Sequence, residues 1–335
     1  MFREAREAPD VVARQLASNA ARAKAIGARL RKMQSRAVVT GARGSSDNAA
    51  TFAKYLIETK TGIITSSTGL SIASVYAAQP KFDNVLFLAI SQSGKSPDLL
   101  AAAESAKSGG AYVVALVNDD ASPLAALADD VLPLMAQAET SIAATKTYLA
   151  SVCAVAHLVS EWSEDSELIA ALHELPALMR AAWNCDWYAA VERLAPVSNL
   201  YTIGRGMGFG AAQELALKFK ETCGLHAEAF SSAEVRHGPM ALVRKGFSAL
   251  LLSQRDETRA GLEELAAKLA ATGSDVMVAG FSLDGTISLP TVPAHPALEP
   301  ILMVQSFYRM VDALAQARGF DPDCPPNLNK ITETR

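Results

Sequence analysis

The stretch Val85-Leu86-Phe87-Leu88-Ala89-Ile90-Ser91-Gln92-Ser93-Gly94-Lys95-Ser96 joins a continuous apolar run to a loop of small, hydroxylated residues. Continuous apolar runs of this kind are typical of parallel strands that are buried on both faces. A helical stretch follows at 97–108, and a second apolar run lies at 112–117. The alternation of strand and helix predicts an α/β fold with a mostly parallel sheet.

The same order of elements occurs upstream of this stretch. Ala37-Val38-Val39-Thr40 is a short apolar run, and the loop Gly41–Asn48 follows it. An Ala-rich helical stretch then covers 49–61 and stops at Gly62. Residues 1–33 have no strand-like alternation, and we expect a helix there.

A comparison of the chain with itself indicates an internal duplication. Arg43-Gly44 recurs as Arg205-Gly206, a shift of 206 − 44 = 162 residues, and the same shift relates Ser91-Gln92 to Ser253-Gln254. Self-similarity at one offset is the signature of a repeated unit. We therefore expect two tandem α/β domains, each a mostly parallel sheet flanked by helices in a flavodoxin-like or Rossmann-like three-layer sandwich. The expected segments are an N-terminal helical segment 1–33, domain 34–160, helical connector 161–194, domain 195–318 and tail 319–335.

Composition excludes several classes of protein. The 335 residues include 31 basic and 35 acidic side chains, a formal net charge of −4, with no basic block that would favour nucleic acid or a membrane surface. No apolar run approaches the roughly 20 residues of a membrane helix. Four scattered cysteines predict neither a disulfide framework nor a zinc site. We expect a cytoplasmic protein.

Hydroxylated loops follow two strands of the first predicted domain, at the edge where open α/β sheets bind ligands. Backbone N–H groups at a helix start, together with hydroxyl donors, suit a phosphate. The alternative is that these serines cap helices. The second domain has Ser253-Gln254-Arg255-Asp256 in place of Ser91-Gln92-Ser93-Gly94, and we expect it to have lost the phosphate site. The predicted phosphate-binding residues are Ser45, Ser46, Ser91, Gln92, Ser93 and Ser96.

A charged stripe in the second domain is the other candidate for chemistry. Glu214, Lys218 and Glu221 fall on one face of a predicted helix, which is either a functional face or an ordinary solvated one. His226 and His237 follow shortly, and His237 precedes a Gly-Pro turn that places its ring on a loop. Histidine suits proton transfer near neutral pH. We expect no metal, because the histidines lack the spacing of zinc ligands.

A nucleotide-binding alternative rests on Gly206-Met207-Gly208-Phe209-Gly210-Ala211, which satisfies G-x-G-x-x-A. The equivalent Gly44–Ala49 in the first domain does not satisfy it. The disagreement between the two copies makes this a weak signal.

Taken together, the motifs resemble those of the double sugar-isomerase (SIS) domain family. The similarity is greatest to the isomerase half of glucosamine-6-phosphate synthase and to stand-alone glucosamine-6-phosphate deaminases. The chain has, in the family's order, Ser91-Gln92-Ser93-Gly94, Ala143-Ala144-Thr145-Lys146, Glu214-x-x-x-Lys218-x-x-Glu221, His226-Ala227-Glu228-Ala229, His237-Gly238-Pro239 and Asn327-Leu328-x-Lys330.

This resemblance implies roles for single residues. Glu221 moves a proton between C1 and C2, His237 opens the sugar ring, and Lys330 lies over the open-chain sugar. The catalytic set also includes Lys218, and the substrate-binding set adds Ile142 and Glu214 to the serines. In the synthase the equivalent histidine comes from the partner subunit, so we expect a homodimer with active sites at or near the interface. No cofactor is expected.

Two departures and one absence shape the functional expectation. Ala144 replaces a serine of the family, and Lys95 occupies a position that is often acidic. The synthase obtains ammonia with an N-terminal cysteine, whereas this chain begins Met1-Phe2 and its first cysteine is Cys153. We therefore expect glucosamine-6-phosphate deaminase activity, which releases ammonia and forms fructose 6-phosphate. The alternatives are an aldose–ketose phosphosugar isomerase, a deglycase of fructosyl-amine phosphates and a non-enzymatic sugar-phosphate sensor.

Overall fold

The computed structural model describes residues 1–330 and contains strands and helices in alternation. The tail prediction 319–335 extends beyond this range, and its last five residues lie outside the described part. The elements of the first half are α1 (Phe2–Met33), β1 (Ala37–Gly41), α2 (Ser45–Thr61), β2 (Thr65–Ser67), α3 (Ser71–Ser74), β3 (Val85–Ser91), α4 (Pro97–Ser108), β4 (Tyr112–Val117), α5 (Pro123–Leu127), β5 (Asp130–Pro133) and α6 (Lys146–Ser163).

The second half continues the same alternation after two connecting helices. Its elements are α7 (Ser166–Trp183), α8 (Tyr188–Leu194), β6 (Asn199–Gly204), α9 (Met207–Cys223), β7 (His226–Ser231), β8 (Ser248–Leu252), α10 (Arg259–Ala271), β9 (Asp275–Ala279), β10 (Ile287–Leu289) and α11 (Glu299–Ala317), with 3-10 turns at Glu234–Arg236 and Pro239–Leu242.

The strands form two parallel five-stranded sheets with the same topology. The first sheet has the order β2-β1-β3-β4-β5 and the second the order β10-β9-β8-β6-β7. Read from the other edge, the second order is β7-β6-β8-β9-β10, which matches the first strand for strand. Every pairing in both sheets is parallel. The predicted fold class of two tandem α/β sandwiches is confirmed.

The structure preserves the sequence offset at the level of single helix ends. Helices α2 and α9 begin and end at positions that differ by the predicted 162 residues, and α4 and α10 share the same offset at their first residues. The residues that precede α2 and α9, Gly44 and Gly206, have nearly the same backbone angles, with φ of 54° and 58°. The offset does not hold for the last strand of each sheet, because β10 begins fewer than 162 residues after the start of β5.

The described chain forms two compact units. The N-terminal sheet unit comprises residues 10–139, 146–173 and the described tail from Asn329. The C-terminal sheet unit comprises residues 1–9, 140–145 and 174–328. Each has its own core: Phe87, Leu99 and Val113 are buried in the first, and Leu251, Leu262 and Val278 in the second. All seven residues of β3 are buried, as its continuous apolar run predicts.

Helix α2 begins earlier than the sequence pattern predicts. We expected the loop to extend to Asn48, whereas the helix starts at Ser45 directly after Gly44. The combination of φ 54° and ψ −131° at Gly44 is open to glycine, and it turns the chain sharply enough for Ser45 and Ser46 to enter the first turn. Two serines of the predicted loop therefore lie at a helix N-terminus.

The remaining segments contain helices and turns. Helix α1 covers nearly the whole predicted N-terminal segment, and α7 and α8 lie in the predicted connector. Residues 318–330 contain turns and no helix or strand. Across residues 1–330, no helix combines the length and apolarity that a membrane span requires.

The conformation of Gly94 generates a prediction about stability. A Cβ atom at Gly94, which has φ 63°, would lie 2.2 Å from Ser122 Oγ, and that oxygen accepts a hydrogen bond from the N–H of Ala125. Gly94→Ala should lower the free energy of unfolding by about 3 kcal/mol, from left-handed strain and overpacking together. Gly62→Ala is the matched control, since it has φ 72° and open space around the added atom, and it should cost about 1 kcal/mol. Equal losses of unfolding free energy for the two variants, measured by urea unfolding, would contradict the predicted overpacking at Gly94.

Candidate active site

The predicted phosphate loops lie at the switch point of the first sheet. Strands β1 and β3 are neighbours, with Gly41 paired with Ala89, and the chain leaves β1 toward β2 on the opposite side. Ligands of open parallel sheets bind outside the carboxyl ends of the strands at such a point. The loop that precedes α2 and the loop that precedes α4 therefore lie at one edge of the N-terminal sheet unit.

Two helix N-termini in this unit carry the predicted serines. Ser45 and Ser46 are half-buried in the first turn of α2, and Ser96 is the half-buried N-cap residue of α4. Neither helix has a side-chain hydrogen bond at its N-cap. At the N-cap of α4 the Ser96 hydroxyl therefore does not cap the helix, whereas the N-cap residue of α2 is Gly44, which has no side chain. The positive end of each helix dipole favours an anion beside it.

The loop between β3 and α4 is shaped by its own hydroxyls. The buried Ser91 Oγ accepts a hydrogen bond from the N–H of Gly94 at 3.0 Å, and Ser93 Oγ accepts one from the N–H of Lys95 at 3.3 Å. Gln92 and Ser93 are half-buried. These bonds hold the loop in one tight conformation, which Gly94 permits.

Charged side chains lie beside these loops, and no sequence pattern indicates the pairing of Arg43 with Asp98. Arg43 donates two hydrogen bonds, at 2.7 and 3.0 Å, to one carboxylate oxygen of Asp98, which is buried at the start of α4. This pair ties the loop after β1 to the helix after β3. Lys95, which occupies a position that is often acidic in the family, forms an exposed ion pair with Asp119 at 2.8 Å. The ammonium beside it lowers the pKa of Asp119.

Lys330 is held by a buried carboxylate of the same unit. Its Nζ lies 3.4 Å from Glu139 Oε2. The hydroxyl of Thr147 donates to the same oxygen at 2.7 Å, and the Thr147 N–H donates to the other oxygen at 3.2 Å. The lysine side chain is 26% exposed, so its ammonium is anchored and still accessible. No sequence pattern indicates Glu139 as a functional residue.

In the second sheet, the side chain of Gln254 occupies the equivalent switch point. Gln254 Nε2 donates to the carbonyl of Arg205, to Asp256 Oδ2 and to Thr258 Oγ1, at 2.8 to 3.2 Å. A Cβ atom on Gly208 would lie 2.5 Å from Gln254 Oε1, so the side chain packs directly on the glycine loop. The carboxylate of Asp256 would repel an anion there. These contacts agree with the expected loss of phosphate binding, and they also fill the space that the dinucleotide alternative needs.

The charged face of α9 is buried, and the alternative of a solvated face is wrong. The side chains of Glu214 and Lys218 are 0% exposed, whereas that of Glu221 is 20% exposed. Lys218 Nζ lies 3.4 Å from Glu214 Oε1 and forms a close ion pair with Glu221. Tyr308 donates from its hydroxyl to Glu214 Oε1 at 2.9 Å. The result is a buried row of polar groups that ends at a carboxylate accessible to a ligand.

The predicted histidines occupy exposed positions in the C-terminal sheet unit. His237 ends the 3-10 turn Glu234–Arg236, with its N–H donating to the carbonyl of Glu234 at 2.9 Å. His226 begins β7 and is also exposed. His157 is buried in α6, and burial lowers its pKa to about 4.

Ile142 lies in a segment that a buried glutamate holds in place. It is half-buried, and it follows residues whose backbone N–H groups donate to Glu4. The donors are Thr140 at 2.5 Å and Ser141 at 3.2 Å. Within residues 1–330, no group of three or more His, Cys, Asp or Glu side chains is arranged to hold a metal ion.

Comparisons with known proteins agree with the predicted resemblance. The SIS domain family model matches residues 32–160 and 193–280. Glutamine–fructose-6-phosphate aminotransferase (isomerizing) of Symbiobacterium thermophilum is 34% identical over 321 residues, which cover 88% of this chain and 51% of that protein. The chain thus spans about half the length of the curated relatives it matches.

Two solved structures extend the comparison. A candidate phosphosugar isomerase from Silicibacter pomeroyi has a TM-score of 0.92 and 42% identity, covering 96% of this chain and 98% of that one. Glucosamine-6-phosphate deaminase from Thermotoga maritima has a TM-score of 0.75 and 21% identity, covering 97% of this chain and 100% of that one. The second likeness shows a shared fold.

The buried ammonium of α9 generates a prediction about stability. Lys218→Met leaves two carboxylates without their cation, and breaking a buried pair in this way costs about 3–5 kcal/mol. We expect the free energy of unfolding to fall by that amount in urea titrations at pH 7. The control Lys268→Met removes an i,i+4 pair with Glu264 that is more than half exposed, and it should cost less than about 1 kcal/mol. Similar losses in the two variants would contradict the buried ion pair.

Proposed function

Because the chain belongs to the SIS domain family, we propose that it is a phosphosugar enzyme that converts glucosamine 6-phosphate into fructose 6-phosphate and ammonia. The observation that carries the proposal is the buried row on α9, which ends at the accessible carboxylate of Glu221. Such an arrangement suits transfer of one proton between adjacent carbons of a bound sugar.

The N-terminal sheet unit is proposed to bind the phosphate. Hydroxyls of the serines at the two helix starts and the backbone N–H groups of the same turns are the donors that a phosphate dianion needs. Binding energy from this remote group orients the reacting carbons. The proposed ligands are Ser45, Ser46, Ser91, Gln92, Ser93 and Ser96, with Ile142 beside the sugar.

Glu221 is proposed to transfer the proton. It removes the proton from C2 of the open-chain amino sugar, which forms an enolamine, and returns a proton to C1. The product is an imine at C2, which water hydrolyses to the ketone of fructose 6-phosphate and free ammonia. Lys218 and Glu214 have no exposed side-chain surface, so we assign them to positioning Glu221 rather than to contact with the sugar.

Other residues assist the steps before and after proton transfer. His237, exposed on its turn, is proposed to assist ring opening, and its exposure is compatible with service to an active site at the interface of a homodimer. Lys330, whose ammonium lies 3.4 Å from Glu139 Oε2, is proposed to lie near the open-chain sugar. Each step moves protons or water and leaves the oxidation state of the sugar as a whole unchanged.

The substrate class rests on the relatives. By their names, the Symbiobacterium protein is an isomerizing glutamine–fructose-6-phosphate aminotransferase, and the Thermotoga protein is a glucosamine-6-phosphate deaminase. A second candidate is aldose–ketose isomerization of a phosphosugar, which the name of the Silicibacter structure favours. That reaction uses the same proton transfer on a hydroxyl sugar and releases no ammonia.

An ammonia assay separates these two functions. We expect ammonia release from glucosamine 6-phosphate within a panel of hexosamine phosphates, whereas interconversion of hydroxyl sugars without ammonia would favour the isomerase.

Glu221→Gln should lower kcat at least about 100-fold, since it removes the base. Glu192→Gln, on the exposed face of α8, should retain full activity. Near-normal turnover by Glu221→Gln would exclude the proposed base.

A second prediction concerns phosphate binding. Ser93→Ala combined with Ser96→Ala removes two hydroxyls from the proposed site, and KM for the phosphorylated sugar should rise about tenfold or more, since hydrogen bonds to a charged group are strong. Ser108→Ala, exposed at the end of α4, is the control. An unchanged KM in the double variant would mean that these hydroxyls serve the loop alone.

A further inference from the structure

Tyr308 reaches the charged row of α9 from another helix. It lies on α11, its ring is fully buried, and its hydroxyl donates to Glu214 Oε1 at 2.9 Å. The two helices pack closely here, because the rings of Phe219 on α9 and Phe307 on α11 meet edge to face with their centroids 5.1 Å apart. The tyrosine and the glutamate are separated by 94 residues in the sequence.

The charges of the row explain why this hydroxyl matters. One ammonium, on Lys218, faces two carboxylates, those of Glu214 and Glu221. Glu214 is completely buried, and a buried carboxylate is costly unless donors compensate for the lost water. The ammonium is closer to Glu221 than to Glu214, which lies 3.4 Å away. The ion pair of Glu214 with the ammonium is therefore the weaker of the two, and the Tyr308 hydroxyl gives Glu214 an uncharged hydrogen-bond donor.

We propose that Tyr308 is a positioning residue for proton transfer, which acts by holding Glu214 so that the Lys218 ammonium stays on Glu221. This inference rests on the proposed function, because it assumes that Glu221 is the base. Loss of the hydroxyl removes a donor from the buried Glu214 carboxylate, which favours two changes: movement of the ammonium toward Glu214, or protonation of Glu214. Either change alters the ion pair that orients the Glu221 carboxylate.

The ring and the hydroxyl of Tyr308 have separable roles. A phenylalanine ring would fill the same space between α9 and α11, so packing alone does not require the oxygen. A buried hydroxyl is unfavourable unless it is bonded, and here its hydrogen bond goes to a charged group, which makes it one of the stronger kinds. Replacement of tyrosine by phenylalanine therefore tests the hydroxyl while it retains the packing.

Kinetics of Tyr308→Phe provide the first test. We expect kcat to fall about tenfold, as for loss of a hydrogen bond to a charged group, with KM changed less than about twofold because the hydroxyl does not touch the sugar. Ser306→Ala is the matched control, since this buried hydroxyl lies on the same helix and donates to the carbonyl of Ala182 at 2.7 Å. It should leave both constants unchanged. Loss of activity of equal size in both variants would overturn the proposal.

A double-mutant cycle tests the route of the effect. If Tyr308 acts through Glu214, Tyr308→Phe should reduce kcat in the native background and have no added effect in the Glu214→Gln background. Additive losses would overturn the proposal. Glu214→Gln also serves as the second variant if Tyr308→Phe does not fold, because weakening the acceptor should lower kcat with a similar KM.

A spectroscopic measurement distinguishes failure of this inference from failure of the proposed function. The Nζ resonance of Lys218 in protein labelled with 15N-lysine, assigned with Lys218→Met, should shift in Tyr308→Phe and remain in place in Ser306→Ala. An unchanged resonance overturns the proposal, whatever the activity. A shifted resonance in a protein that releases no ammonia would reject the deaminase function and support the link between Tyr308 and Lys218.

Discussion

A single buried ammonium organises the chemistry of the C-terminal sheet unit. Removing the charge of Lys218 from water costs several kcal/mol, and this cost is met only by carboxylates close enough and well enough ordered to compensate. Glu214 and Glu221 meet that requirement from the same helix, one turn to either side. Because Glu214 is in turn bonded to Tyr308, the ammonium links the position of Glu221 to the packing of α9 on α11. The partly exposed carboxylate of Glu221 thus has an orientation determined by fully buried groups.

The two sheets share one topology, but the side chains at their switch points differ. Both have their switch point beside a glycine that begins a helix with nearly the same backbone angles. In the first sheet this edge carries half-buried serines and a tight glycine loop, and in the second it is occupied by Gln254 with Asp256 and Thr258 as partners. The difference lies in a few side chains at the strand ends, which is where function resides on a shared fold. The second unit carries the charged row of α9 instead.

Much of this architecture could be predicted because it depends on local patterns. The apolar run at β3, the helices that follow the glycine loops and the offset between the two copies depend on residues that are close together in the sequence. The start of α2 was predicted four residues late, since the sharp turn at Gly44 brings serines that resemble loop residues into the helix. For α9, the pattern placed the three charged residues on one face correctly, but it left open whether that face is solvated or functional. Helix α11, some 90 residues further on, covers that face, and periodicity within α9 carries no information about it.

The amino-acid sequence by itself determined the succession of strands and helices, the repeat, the hydroxylated loops and the alignment of Glu214, Lys218 and Glu221 on one helical face. These properties follow from hydrophobic period and from backbone preferences that act over a few residues. Tertiary structure alone decided which of those charges are buried, that Tyr308 supports Glu214, that Glu139 holds Lys330, and that Gln254 fills the second switch point. Burial and hydrogen-bond partnership depend on residues brought together from distant parts of the chain, and the free energy of a charge depends on those partners and on the exclusion of water.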